Sequence, residues 1–94
     1  MSKYVVLVNW TDQGVKNANQ TIDRGKAFTE MVTQMGGSVD TLLWTMGRYD
    51  IVAVLDAPSD EVASSMVLKV SSMGNVRGET LRAFTAEEVA GIVG

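Results

Sequence analysis

Two stretches of this chain, Val5–Val8 and Ile51–Leu55, place an apolar residue at every successive position. Both are rich in β-branched side chains and read as strands. Side chains alternate between the two faces of a strand, so strands of this kind are apolar on both sides. Within Lys3–Trp10, Tyr4, Val6, Val8 and Trp10 point one way, while Val5 and Leu7 point the other. Within Tyr49–Ala57, Ile51, Ala53 and Leu55 share one face and Val52 and Val54 the opposite one. A half-exposed antiparallel sheet should alternate apolar with polar residues, so a sheet centred on these strands needs cover on both faces.

The remaining elements define what supplies that cover. Thr11–Gly14 reads as a turn, and Val15–Gln20, with weak periodicity, as an irregular or briefly helical segment. From Thr21 to Met35 the pattern is helical, with Phe28, Met31, Val32 and Met35 on one stripe. Thr21 is the expected N-cap, Asp23 lies in the first turn, and Gly36-Gly37 forms the stop. Ser38–Met46 reads as the second strand. Gly47-Arg48 is then a short connection into the third, Tyr49–Ala57, which implies an antiparallel hairpin. A second helix opens at Pro58–Glu61, with Ser59 as its cap. Val62, Met66, Val67 and Val70 form its stripe, and Gly74 ends it. Asn75–Phe84 is the fourth strand, and Thr85–Glu88 matches a capping box for a short C-terminal helix.

The order β-α-β-β-α-β is the ferredoxin-like signature of an α+β domain. Right-handed crossovers put both helices on one face of a four-stranded antiparallel sheet. The other face remains apolar, and a second copy of the chain packed sheet to sheet would cover it. The chain is therefore expected to be a homo-oligomer, a dimer or higher.

At 94 residues the sequence is one domain, residues 1–94, with a small core. There is neither Cys nor His. That removes disulfides, Cys/His zinc sites, His-ligated haem and Ser-His or Cys-His dyads. No Asp run resembles a calcium loop and no glycine-rich phosphate cradle is present, so neither metal nor cofactor is expected. A net charge of −3 with scattered basic residues shows no nucleic-acid footprint. The longest apolar runs are about eight residues, against the ~20 needed to span a bilayer, so no membrane association is expected. With no Cys and no secretory leader pattern, a cytoplasmic location is the default expectation.

The densest group of chemically capable side chains is Trp44–Asp50. Arg48 is suited to an anion, Tyr49 to hydrogen bonding or general-acid work, and Asp50 to a base. The competing structural readings are an Asp that satisfies turn amides and a Tyr that packs with its hydroxyl at a rim. Asn9 and Trp10, at the end of the first strand, are well placed for a cavity mouth, although Asn9 equally suits a turn cap. Arg24 reads as solvated or salt-bridged, away from the main helical stripe. Arg77, Glu79 and Arg82 on the fourth strand read as interface or edge residues. Asp56, Asp60 and Glu61 cluster in sequence, but a helix N-terminus accounts for the last two.

Four segments together carry a family resemblance: Tyr4–Gly14 (YVVLVNWTDQG), Trp44–Val52 (WTMGRYDIV), Asp56–Glu61 (DAPSDE) and Gly74–Thr85 (GNVRGETLRAFT). The chain resembles the GYD domain family, whose Gly, Tyr and Asp correspond to Gly47, Tyr49 and Asp50. The resemblance implies a small, largely bacterial protein of a group of mostly unknown function, classed with the dimeric α+β barrel proteins. That wider group includes cofactor-independent monooxygenases, haem-degrading enzymes, chlorite dismutase-like proteins and amino-acid-sensing domains. The His ligands of its haem-binding members have no counterpart here.

The sequence thus points to a small-molecule-binding homo-oligomer with a non-enzymatic or regulatory role. Its ligand would sit between the sheet and the first long helix, or within an intersubunit barrel. Asn9, Trp10, Trp44, Arg48, Tyr49 and Asp50 are the expected ligand contacts. The alternatives are a cofactor-independent oxygenase or isomerase for an aromatic or enolisable substrate, with Asp50 or Asp56 as base, and a structural assembly module. The oxygenase reading requires one of those carboxylates to be buried in an apolar pocket.

Overall fold

A computed structural model describes residues 1–94. Four strands, β1 (Ser2–Trp10), β2 (Ser38–Trp44), β3 (Ile51–Ala57) and β4 (Val76–Ala83), form one antiparallel sheet in the order β2-β3-β1-β4. The apolar pair β1 and β3 is central, as their two-faced composition requires. Two helices, α2 (Thr21–Gln34) and α3 (Asp60–Ser72), complete the ferredoxin-like β-α-β-β-α-β arrangement. Two shorter helices flank it: α1 (Asp12–Lys16), followed by a 3₁₀ turn at Ala18–Gln20, and α4 (Ala86–Val93). No helix is long and apolar enough to cross a membrane.

The core lies between the sheet and the two long helices. Tyr4 and Val6 of β1 and Ala53, Leu55 and Ala57 of β3 meet Val32 of α2 and Ala63 and Met66 of α3. Register explains the grouping, since Tyr4 faces Leu55 and Val6 faces Ala53 across the ladder. Tyr4 buries its ring here and donates its hydroxyl to Asp60 Oδ1 at 2.5 Å. Burial, reinforced by that hydrogen bond, pushes the phenol above its usual pKa.

The opposite face has no layer over it. The register places Val5, Leu7, Val52, Val54, Leu43 and Leu81 on this side. None of them is buried, and Leu43 is 55% exposed. The molecule is accordingly a two-layer slab, 48 × 30 × 17 Å.

Several local expectations are corrected. The segment after β1 is helical rather than a plain turn, because the Thr11 hydroxyl accepts the Gly14 N–H and caps α1. Thr21 is not an N-cap. The 3₁₀ turn runs straight into α2, Gln20 takes the cap position without a side-chain bond, and Thr21 is already helical. The β2–β3 connection is also longer than Gly47-Arg48, because β2 stops at Trp44 and β3 starts at Ile51. Its ends are tied by Thr45 N–H to Asp50 O and by Thr45 Oγ1 to Tyr49 O, so the intervening residues bulge off the ladder. Ser59 caps α3, and Thr85 with Glu88 closes a complete capping box on α4, both as the sequence indicates.

Candidate functional site

Val32 and Met66 fill the space between α2 and α3 at one end of the slab, and neither has any exposure. Toward the other end the sheet beneath the helices carries small side chains, Val6, Val8, Ala53 and Gly78. Between this part of the sheet and the two helices lies a cavity of about 180 Å³. Thirteen of its nineteen lining residues are hydrophobic, which makes it a site for an apolar body rather than a polar one.

α2 supplies one wall through Thr21, Arg24, Phe28 and Met31, one helical face at successive turns. The C-terminal half of α3 supplies Val67, Val70 and Ser71, and the α3–β4 turn adds Asn75. Trp44 stands at the rim, 38% exposed, with its indole N–H donated to Thr21 Oγ1 at 2.9 Å. Its ring packs over Gly25, where a Cβ would come within 3.3 Å of the indole. A side chain at Gly25 would press on both Leu42, at 3.1 Å, and the Trp44 indole.

Arg24 is held by backbone. Its two terminal nitrogens donate to Asn17 O at 3.1 Å and Gly14 O at 3.2 Å, so the guanidinium braces the end of α1 against α2. α1 is in turn fastened to the α3–β4 turn. Thr11 N–H donates to Asn75 O, Thr11 Oγ1 to Gly74 O, and Gln13 Nε2 to Met73 O and Asn75 Oδ1. Gly14 packs so closely there that a Cβ would lie 1.9 Å from Asn75 O. α1 is therefore held against both α2 and the α3–β4 turn, two elements that contribute residues to the cavity wall.

Of the six residues expected to contact a ligand, only Trp44 lines this cavity. Asn9 has the register of the open face, opposite Arg77. The indole N–H of Trp10 is shut off from solvent and meets no acceptor. Arg48 is exposed and joins no hydrogen bond or ion pair. Tyr49 donates to Glu79 Oε2 at 3.3 Å, reaching past β1 to β4. Asp50 Oδ2 accepts the Trp10 N–H at 2.9 Å, and the Asp50 N–H donates to Val8 O, also at 2.9 Å. These bonds are the structural alternative for the segment: its carboxylate and amide fasten the β2–β3 loop to β1. Asp56 lies on the open face, paired with Lys3, and apart from Asp60. Neither Asp50 nor Asp56 lines the cavity, and no other carboxylate does. No group of three or more acidic side chains is arranged to hold a metal.

The residue that sequence reasoning misplaced is Arg24. It precedes Phe28 by four positions and Met31 by seven, so extending the apolar stripe one turn backward reaches it. That signal was present, and the charge obscured it.

Fold and residues agree with the comparisons to known proteins. A family model of the GYD domain matches residues 4–93. The chain belongs to the GYD domain family. No curated protein matches this GYD domain, whereas 13 chains of solved structures do. One of them is the crystal structure of TTHA0845 from Thermus thermophilus, 26% identical over 92% of this chain and 96% of that one, with a TM-score of 0.59. In this GYD domain Gly47 has φ +101°, which a side chain would strain, and nothing crowds it. The three residues of the Gly-Tyr-Asp pattern therefore share one role visible in the structure. They shape the β2–β3 loop and tie it across the sheet.

Proposed function

We propose that this GYD domain is a small-molecule-binding homo-oligomer, with its ligand between the sheet and the two long helices. The cavity carries this reading. It is apolar, larger than the ~150 Å³ engineered cavity known to take up benzene, and bordered by a few polar groups that can orient a guest. It lies on the helix-covered side of the sheet, so each chain holds a complete site. The lining offers no carboxylate to act as a base, which favours binding over oxygenase or isomerase chemistry.

Association is the second part of the reading, supported by the uncovered row Val5, Leu7, Val52 and Val54 at the sheet centre. Barrel-like pairing of two sheets would bury it without touching the cavity.

Gly78→Val tests the binding site. A Cβ at Gly78 meets only ordinary contacts, the nearest being Val6 Cγ1 at 3.5 Å, so the chain should fold while the floor rises. Native mass spectrometry of gently purified protein should show a retained small molecule on the wild type and loss of it in Gly78→Val. An indole fluorescence titration with toluene should likewise respond in the wild type only. A wild type that carries nothing and ignores toluene would overturn the proposal.

A further inference from the structure

Resting on that binding reading, we infer that the cavity selects a monoanionic guest, an apolar carboxylate whose head group is met by Arg24. Arg24 is partly buried, and its guanidinium has no carboxylate within 4 Å. The two groups it does meet, Asn17 O and Gly14 O, are carbonyls that bring partial charges only. None of the nineteen residues around the cavity is Asp or Glu. Arg24 therefore brings a full positive charge with no carboxylate partner to the edge of an apolar space, where an anionic guest would find an unpaired cation.

The donor count narrows the class. Two of the five guanidinium N–H groups are spent on backbone, leaving three. The Thr21 hydroxyl accepts from Trp44 and keeps its own proton to donate. One fork and one hydroxyl suit the two oxygens of a carboxylate, while a phosphate dianion would need more donors and more charge than the lining offers. The apolar remainder would lie against Phe28, Met31 and Val70, with Trp44 closing over it.

The test uses the full chain and three probes of one chain length: hexanoate, 1-hexanol and hexylammonium. Affinities are read by indole fluorescence and by ligand-observed NMR. Hexanoate should bind about tenfold or more tighter than 1-hexanol, as expected for one desolvated charge-assisted contact, with hexylammonium the weakest. Arg24→Met should erase the preference for hexanoate, read as the ratio of the hexanoate and 1-hexanol affinities within the variant, so that any general loss from the missing brace cancels. Because Arg24 also braces α1, Arg24→Lys serves as a second variant. It keeps the charge without the fork and should retain part of the preference. Lowering the pH until hexanoate itself is protonated should abolish its advantage in the wild type, a readout that needs no variant. Equal affinity for hexanoate and 1-hexanol, or a preference that survives Arg24→Met, overturns the anion assignment while the cavity reading stands. Failure of all three probes to bind overturns both.

Discussion

The Asp50 carboxylate accepts the Trp10 N–H while the Asp50 amide donates to Val8 O, so this residue bonds β1 twice. Asp50→Ala removes the acceptor and leaves a partly buried N–H without a partner, which costs about 1–3 kcal/mol. Asp50→Asn keeps an oxygen in place and should cost clearly less. Urea denaturation of both variants checks the order, and equal losses would show that the hydrogen bond is not what matters. Gly14 is a site of a different kind, where the nearest neighbour is backbone. A methyl group 1.9 Å from Asn75 O cannot be accommodated by a rotamer change, so Gly14→Ala must displace α1 from the α3–β4 turn. We expect a loss of about 1–3 kcal/mol or more, together with amide-exchange protection falling at Thr11, whose N–H bonds Asn75 O.

At the scale of elements, the open face is stapled at one end by charges from three strands. Lys3 of β1 reaches Asp40 of β2 at 2.5 Å and Asp56 of β3 at 3.3 Å. The bulge between Val39 and Thr41 sets Asp40 outside the regular ladder. Hydrogen bonding to Asp40, then to Asp56, raises the Lys3 pKa above its ordinary 10.5, and Lys3 holds Asp40 below its ordinary 3.8. A raised lysine contributes stability that is fully present below 10.5 and lost as pH rises through the folded value. A depressed aspartate contributes stability present above 3.8 and lost as pH falls through its lowered value. The staple therefore acts across the range between those two limits. Because its groups remain partly open to solvent, the effect is small and weakened by salt. The stability difference between wild type and Lys3→Met should be flat through neutral pH and shrink at both extremes. A difference independent of pH would assign Lys3 a packing role only.

For the whole molecule, the decisive feature is a sheet covered on one side. Leu7 sits in the middle strand pair of the open face, between Val52 and Glu79. Leu7→Lys leaves the helix-side core untouched and places a charge where a second sheet would pack. Analytical ultracentrifugation should find the wild type assembled and Leu7→Lys monomeric, with the far-UV circular dichroism of the two superimposable. A wild type that sediments as a monomer at tens of micromolar would remove the oligomer from the functional reading. α4 adds to the same expectation, since Ile92 and Val93 are 65% and 78% exposed on a helix of only eight residues. Helices this short are marginal alone in water, so α4 gains from any surface that covers it.

Element order, the two-faced central strands and the caps at Ser59 and Thr85 were all legible in the chain, because each depends on residues within a few positions of one another. So was the Gly-Tyr-Asp segment as a point of interest, along with the structural alternative for its carboxylate. The partners of that segment were not legible. Asp50 meets Trp10 across 40 positions and Tyr49 meets Glu79 across 30, distances that only strand pairing brings together. The cavity was hidden for the same reason. It is lined by residues of all four strands and of the two long helices, and no stretch of sequence contains that coincidence. Arg24 shows the division most clearly. Its helical spacing put it in line with Phe28 and Met31, but that it lacks a counter-ion, and borders an apolar space, was decided by where the fold left α1 and by which carboxylates it kept away.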